Sequence, residues 1–134
     1  MEENNTTKIQ EKSVMIDSFP GVKLIQILSG DDEKELLNAN EALENFVKKN
    51  VRYIKYAQIR TLHKAIKDAK SNSDLIKTMP LLAYIQGRQE KKEAKEFVRI
   101  IRESINNAIK QNISKDAIDN FIDAVVAYHK LYGN

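Results

Sequence analysis

Arg60, Lys64 and Lys67 recur at steps of four and three, and Lys92, Lys95, Arg99 and Arg102 at steps of three, four and three. On a helix each set falls along one side, a row of cations about one turn apart. Such a row suits the backbone of a nucleic acid, where phosphates are met without any base being read. Arg52 and Lys55 alternate with Tyr53 and Tyr56 just upstream. This interleaving adds rings on which bases can stack. Arg88 extends the second row if its helix runs back that far. Glu96 and Glu103 lie three and four residues from Arg99, so local ion pairs are also available there. Even so, two basic rows in one segment favour a groove for a polyanion over a merely solvated surface.

Other chemistries lack their residues. The chain has no cysteine, which excludes disulfides and cysteine-zinc sites. Its two histidines, His63 and His129, form no i, i+4 pair and no HExxH, so a histidine-based metal site is not expected. No phosphate-binding glycine motif is present, and spacing picks out no nucleophile with a base. Asp116, Asp119 and Asp123 share a helix face, but they read as a solvated surface near a helix start. A metal-dependent enzyme is therefore the weak reading, and no metal or cofactor is expected.

The charge is distributed unevenly. Residues 1–50 carry six basic and ten acidic side chains, residues 51–110 carry fourteen and six, and residues 111–134 carry two and three. The whole chain of 134 residues is +3, while its middle segment is +8. The longest apolar runs span a handful of residues, so no transmembrane helix is expected. The start, MEENNTTKIQEK, has neither the basic opening nor the apolar stretch of a signal peptide. The expectation is a soluble cytoplasmic protein.

The elements that position these residues read as helices. Two prolines and four glycines are few for 134 residues and argue for long elements with few turns. Residues 1–13 read as a flexible, disordered tail, and 14–134 as one helical domain. Val14–Leu28 is apolar around a turn signal, SFPG, and is expected to be an extended or short helical flap on the core. Ser29 or Asp31 can cap the next helix, with Leu36, Leu37, Leu43, Phe46 and Val47 as its stripe. Ile59, Leu62, Ile66 and Ala69 mark a second helix, broken by SNSD. Thr78 and Pro80 suit the start of a short third helix carrying Leu81, Leu82, Tyr84 and Ile85, and Gly87 suits its left-handed end. A long helix over about 90–111 buries Phe97, Ile101, Ile105, Ala108 and Ile109. Ser114 caps the last, with Ile118, Phe121, Ile122, Val125, Tyr128 and Tyr132 inward and Gly133 as its stop. No stretch alternates as a strand does, so the prediction is an all-α, single-domain bundle of about five helices.

Three segments carry a resemblance. YAQIRTLHKAI (Tyr56–Ile66) gives a Gln-x-Arg helix start. MPLLAYIQGR (Met79–Arg88) gives Pro-x-Leu-Ala-Tyr-x-x-Gly-Arg. FIDAVVAYHKLYGN (Phe121–Asn134) gives Val-Ala-Tyr-His-Lys-x-Tyr-Gly. In order and spacing they resemble the small subunit of type III-A CRISPR–Cas interference complexes, over about residues 53–134. Tyr56 and Ala57 stand where that family usually has a Thr/Ser pair. The resemblance implies a helical bundle without catalysis of its own, stacking with copies of itself beside the other subunits of an RNA-guided complex. Its implied partners are the CRISPR RNA and the single-stranded target RNA, followed by a basic face. By position, Arg60, Arg88 and Lys130 match the recurrent basic residues of the three motifs, and Tyr84, Tyr128 and Tyr132 are expected to pack. The RNA-binding set is then Arg52, Lys55, Arg60, Lys64, Lys67, Arg88, Lys92, Lys95, Arg99, Arg102 and Lys130. A protein–protein scaffold module without direct RNA contact is the alternative.

Overall fold

A computed structural model describes residues 21–133, and every regular element in that range is helical. The expected tail at 1–13, and the first part of the Val14–Leu28 flap, lie outside the described residues. Six α-helices run in chain order: α1 (Gly21–Leu28), α2 (Glu33–Asn50), α3 (Tyr56–Asp68), α4 (Asn72–Arg88), α5 (Lys92–Lys110) and α6 (Lys115–Tyr132). A 3-10 turn, Val51–Tyr53, joins α2 to the link before α3. The expected five helices become six because the second half of the flap is a helix. Leu24 and Ile25 of α1 are buried, and α1 packs against α2, α5 and α6.

The core follows the helical period of α5 and α6. Phe97, Ile101, Ile105 and Ala108 are sealed on α5, and Ile118, Phe121, Ile122 and Val125 on α6. Each fully buried Phe, Ile or Val side chain among these contributes roughly 1.5–3 kcal/mol. Phe46 of α2 stacks on Phe97, with ring centroids 5.2 Å apart. Tyr128 Oη donates to Asn40 Oδ1 at 3.2 Å, and Tyr132 Oη donates to Glu44. Both pairs join α6 to α2 at the same sequence offset, so the two helices run parallel. Leu37 departs from the expected stripe: it faces outward, 73% exposed, because the inward row is Ala39, Leu43 and Val47.

Caps set the boundaries. Asp32, rather than Ser29 or Asp31, caps α2 by accepting from the Glu35 N–H at 3.1 Å. Ser114 caps α6 by accepting from the Ala117 N–H at 3.2 Å. Asn112, with φ 60°, closes α5: the Ile113 N–H reaches Ala108 O and the Asn112 N–H reaches Ile109 O, both at 3.0 Å. These are the two bonds of a Schellman end, with asparagine in the left-handed place that glycine more often takes.

The largest correction concerns MPLLAYIQGR. It is not a separate short helix but the second half of α4, which begins eight residues before Pro80. SNSD both ends the preceding helix and starts this one. Ser71 Oγ accepts from the Asp74 N–H at 3.1 Å, and Asp74 Oδ2 accepts from the Lys70 N–H at 3.3 Å. The Ser71 cap, with Asp74 holding the residue before it, fixes the start. Pro80 sits inside the helix on its exposed side, where water can serve the Ile76 carbonyl that loses its helical donor. The inward row is Leu75, Leu82 and Ile85, so Leu81 and Tyr84 point out. Gly87 is helical and does not end the helix in a left-handed turn.

Two glycines separate in their demands. A Cβ on Gly87 would meet nothing within 4 Å, so Gly87→Ala is expected to stabilise the fold by about 1 kcal/mol in urea unfolding. A Cβ on Gly133 would stand 2.8 Å from the His129 carbonyl oxygen and 2.9 Å from Val51 Cγ2. Gly133→Ala is expected to cost about 1–3 kcal/mol in the same measurement.

Candidate nucleic-acid interface

An open cleft of about 600 Å³ forms where three chain segments meet. The 3-10 turn and the start of α3 bring Arg52, Lys55 and Tyr56. The α4–α5 corner brings Arg88, Glu90 and Lys91. The C-terminal end of α6 brings His129 and Gly133. Four cations and one carboxylate therefore line a single concavity. Among the described residues none of Arg52, Lys55, Arg88 and Lys91 has a carboxylate partner. Arg52 donates to Tyr53 Oη at 2.9 Å, and Arg88 lies over the Tyr84 ring at 5.8 Å.

Tyr56 is the hub. His129 stacks on its ring with centroids 5.9 Å apart and an interplanar angle of 21°. Lys130 Nζ lies 4.8 Å and Arg60 Cζ 6.0 Å from the ring centroid. A cation over a tyrosine face adds roughly 0.5–1 kcal/mol at an exposed site. His129 is buried, and its Nε2 lies 2.8 Å from the Ile54 carbonyl oxygen. A carbonyl only accepts, so Nε2 carries the proton and this bond pins α6 to the link before α3. Lys55 stands at the N-cap of α3, where its ammonium, a donor only, cannot cap, and it lines the cleft. Thus Arg60, Arg88 and Lys130, taken from three distant motifs, gather around one ring and one cleft.

The first basic row is continuous but partly engaged. Arg60, Lys64 and Lys67 line a shallow depression on α3. Lys64 pairs with Asp68 at 2.8 Å, and Lys67 with Asp123 at 3.1 Å. The hydrogen bond from Lys64 holds the Asp68 carboxyl below its usual range. The second row divides. Lys92 and Lys95 are exposed. Arg99 clamps Glu96 at 2.8 Å and Glu103 at 2.6 Å, and Arg102 Nε donates to Gln86 Oε1 of α4 at 2.8 Å. Helices α3 and α5 are not packed along their lengths. They come together at their N-terminal ends, across the cleft.

Lys91 lies outside the set that helical spacing picks out. It occupies the N-cap of α5, one residue before the row begins, so the period passes over it. The run QEKKE is its only signal. The tyrosines expected to pack also divide: Tyr128 and Tyr132 bond to α2, whereas Tyr84 is 60% exposed.

Two of the three aspartates of α6 are engaged in ion pairs, and Asp116 is exposed. Asp119 pairs with Lys115, and Asp123 lies 2.8 Å from His63 Nε2 as well as beside Lys67. Burial pushes the Asp123 carboxyl up, but the hydrogen bonds from His63 and Lys67, with their charges, outweigh it and leave it lowered. A carboxyl depressed by folding stabilises the native state above its unfolded value, and that contribution is lost as pH falls. Asp123→Asn is therefore expected to flatten the acid side of the stability profile below about pH 4. Its cost near neutrality should be below about 1 kcal/mol, since the pair is nearly half exposed. Urea melts at a series of pH values measure both.

The family model Csm2 Type III-A matches residues 30–134, from just before α2 to the end of the chain and across all three motif segments. The chain belongs to this family. It is thus a small subunit of the type III-A CRISPR effector complex, and its partners include the other subunits of that complex. No curated protein and no solved structure matches the chain. The Csm2 match also reaches α2, which lies outside the three motif segments. Among the described residues, no helix is long and apolar enough to cross a membrane.

Proposed function

We propose that this Csm2-family chain is a non-catalytic cytoplasmic subunit that stacks with copies of itself and supports guide and target RNA through its basic cleft. The observation that carries the reading is the meeting of Arg52, Lys55, Arg88 and Lys91 in one concavity around Tyr56, with Glu90 as the one carboxylate. A cleft of that kind neutralises phosphates and reads no bases, while pairing between guide and target supplies the sequence information. Lys92, Lys95 and the Arg60 row continue the positive surface away from the cleft, so a backbone longer than one nucleotide meets further cations.

Reconstitution of the type III-A complex tests this reading. With Arg52, Lys55, Arg88 and Lys91 all changed to glutamate, the complex should assemble with its usual subunit ratio but release target RNA at lower salt. A variant that does not assemble at all supports the protein–protein scaffold reading. Unchanged retention of target across a salt series rules out the cleft as the RNA support.

A further inference from the structure

Helices α3 and α5 start without a side-chain cap, and both start at the basic cleft. Asp32, Ser71 and Ser114 cap α2, α4 and α6, each by accepting from an N–H of the first turn. On α3 and α5 the same position holds Lys55 and Lys91, and neither side chain makes a capping bond. The N–H groups of Tyr56 and Ala57 on α3, and of Lys92, Glu93 and Ala94 on α5, donate to no atom among the described residues. A helix start carries the positive end of the helix dipole, where a carboxylate stabilises and a cation does not. Lysine at both starts therefore works against the stability of the two helices. The fold of the chain gives no reason for it, whereas an anion held between the starts does.

The surroundings point to the same class of ligand. Lys55 and Lys91 line one concavity of about 600 Å³ with Arg52 and Arg88, and Glu90 is its one carboxylate. His129 lines it as well. This side chain is 2% exposed, and its Nδ1 has no partner among the described residues, although Nε2 donates to Ile54 O. A buried polar atom in that state calls for a group from outside the chain. Because Nε2 holds the proton, Nδ1 accepts, and a ribose hydroxyl is a donor of the right kind. A phosphate inside a strand carries one negative charge, whereas a terminal phosphate carries about 1.5 to 2 at neutral pH. Four cations and two helix starts against one carboxylate suit the more highly charged group. A concavity also suits the end of a strand, since an internal phosphate brings chain on both sides.

We infer that the cleft binds the terminal phosphate of an RNA strand, with its oxygens between the starts of α3 and α5 and its charge met by Lys55, Lys91, Arg52 and Arg88. The strand then leaves along the exposed Lys92 and Lys95. A free nucleotide gains nothing from those two cations, so the strand end is the tighter ligand. The inference rests on the RNA-support part of the function proposed above and narrows its ligand to a phosphomonoester. It is independent of stacking.

Titration calorimetry of the full chain at low salt tests it. The probes are short uridine strands of one length with a 5′-phosphate, a 3′-phosphate or hydroxyls at both ends, and uridine 5′-monophosphate alone. A strand with a terminal phosphate should bind at least about tenfold more tightly than the hydroxyl-ended strand, and more tightly than the mononucleotide. Lys55→Asp and Lys91→Asp each put a capping carboxylate at a helix start. Both should raise the urea midpoint of unfolding while removing most of the phosphate advantage, which tells a loss at the site from a loss of fold. Lys55→Gln and Lys91→Gln, which bring no carboxylate, should lose a smaller part of it. Equal affinity for phosphorylated and hydroxyl-ended strands overturns the terminal-phosphate site and leaves the RNA-support reading standing. If neither strand binds, both fall. A phosphate advantage that survives in both aspartate variants overturns the cleft as its site. Mononucleotide binding as tight as that of the phosphorylated strand overturns the strand end as the ligand.

Discussion

Reversing Arg52, Lys55, Arg88 and Lys91 together is expected to remove most of the RNA affinity of the isolated protein, and to do so for unrelated sequences alike. The four cations line one cleft with a single carboxylate, so a phosphate entering there displaces counterions without first breaking ion pairs. For a single strand, each neutralised phosphate contributes about 0.7 to the slope of log affinity against log salt. Losing four such contacts should flatten that slope by roughly 3. The same reversal at Lys64 and Lys67 should do less, because Asp68 and Asp123 already hold those amines. Binding of two unrelated RNAs across a salt series reads all of this at once. A quadruple variant that keeps the wild-type slope would show that the phosphates run elsewhere. A loss confined to one RNA sequence would mean that bases are being read.

Phe121→Ala is expected to cost about 3–5 kcal/mol, the largest stability loss of any substitution considered. Phe121 is fully buried on α6, the helix that packs against α1, α2 and α3. Removing its ring leaves a void that three neighbouring helices would have to close together. A domain of this size has roughly 5–15 kcal/mol of net stability, so the variant should be close to unfolding at physiological temperature. Leu131→Ala on the same helix removes a side chain that is 65% exposed, and should shift stability by less than about 0.5 kcal/mol. Urea unfolding of the pair measures the contrast. Similar losses for both would place the core elsewhere.

Features that depend on one helix at a time are legible in the amino-acid order alone. Phe97, Ile101, Ile105 and Ala108 repeat at the helical period and are the buried face of α5. Ser114 is readable as the cap of α6 because a cap acts within one turn. MPLLAYIQGR misleads for a related reason. Pro80 and Gly87 are strong local punctuation, but the capping at Ser71 and Asp74 starts the helix earlier, and an exposed proline is tolerated inside it.

By itself the sequence determined the helical class, the faces each helix must bury, the +8 middle segment and the motifs that mark the Csm2 family. Only the tertiary structure decided which cations work together. Arg60 and Lys130 meet on Tyr56, Lys91 joins Arg88 in the cleft, and Arg99 and Arg102 turn to partners within the fold. It likewise decided that Asp123 faces His63 across 60 residues of chain, and that Leu81 and Tyr84 stand on the surface. The physical reason is that periodicity orients each side chain about its own helix axis. How one axis lies against another is set by packing between residues far apart in the chain, and that packing brings the charges together or holds them apart.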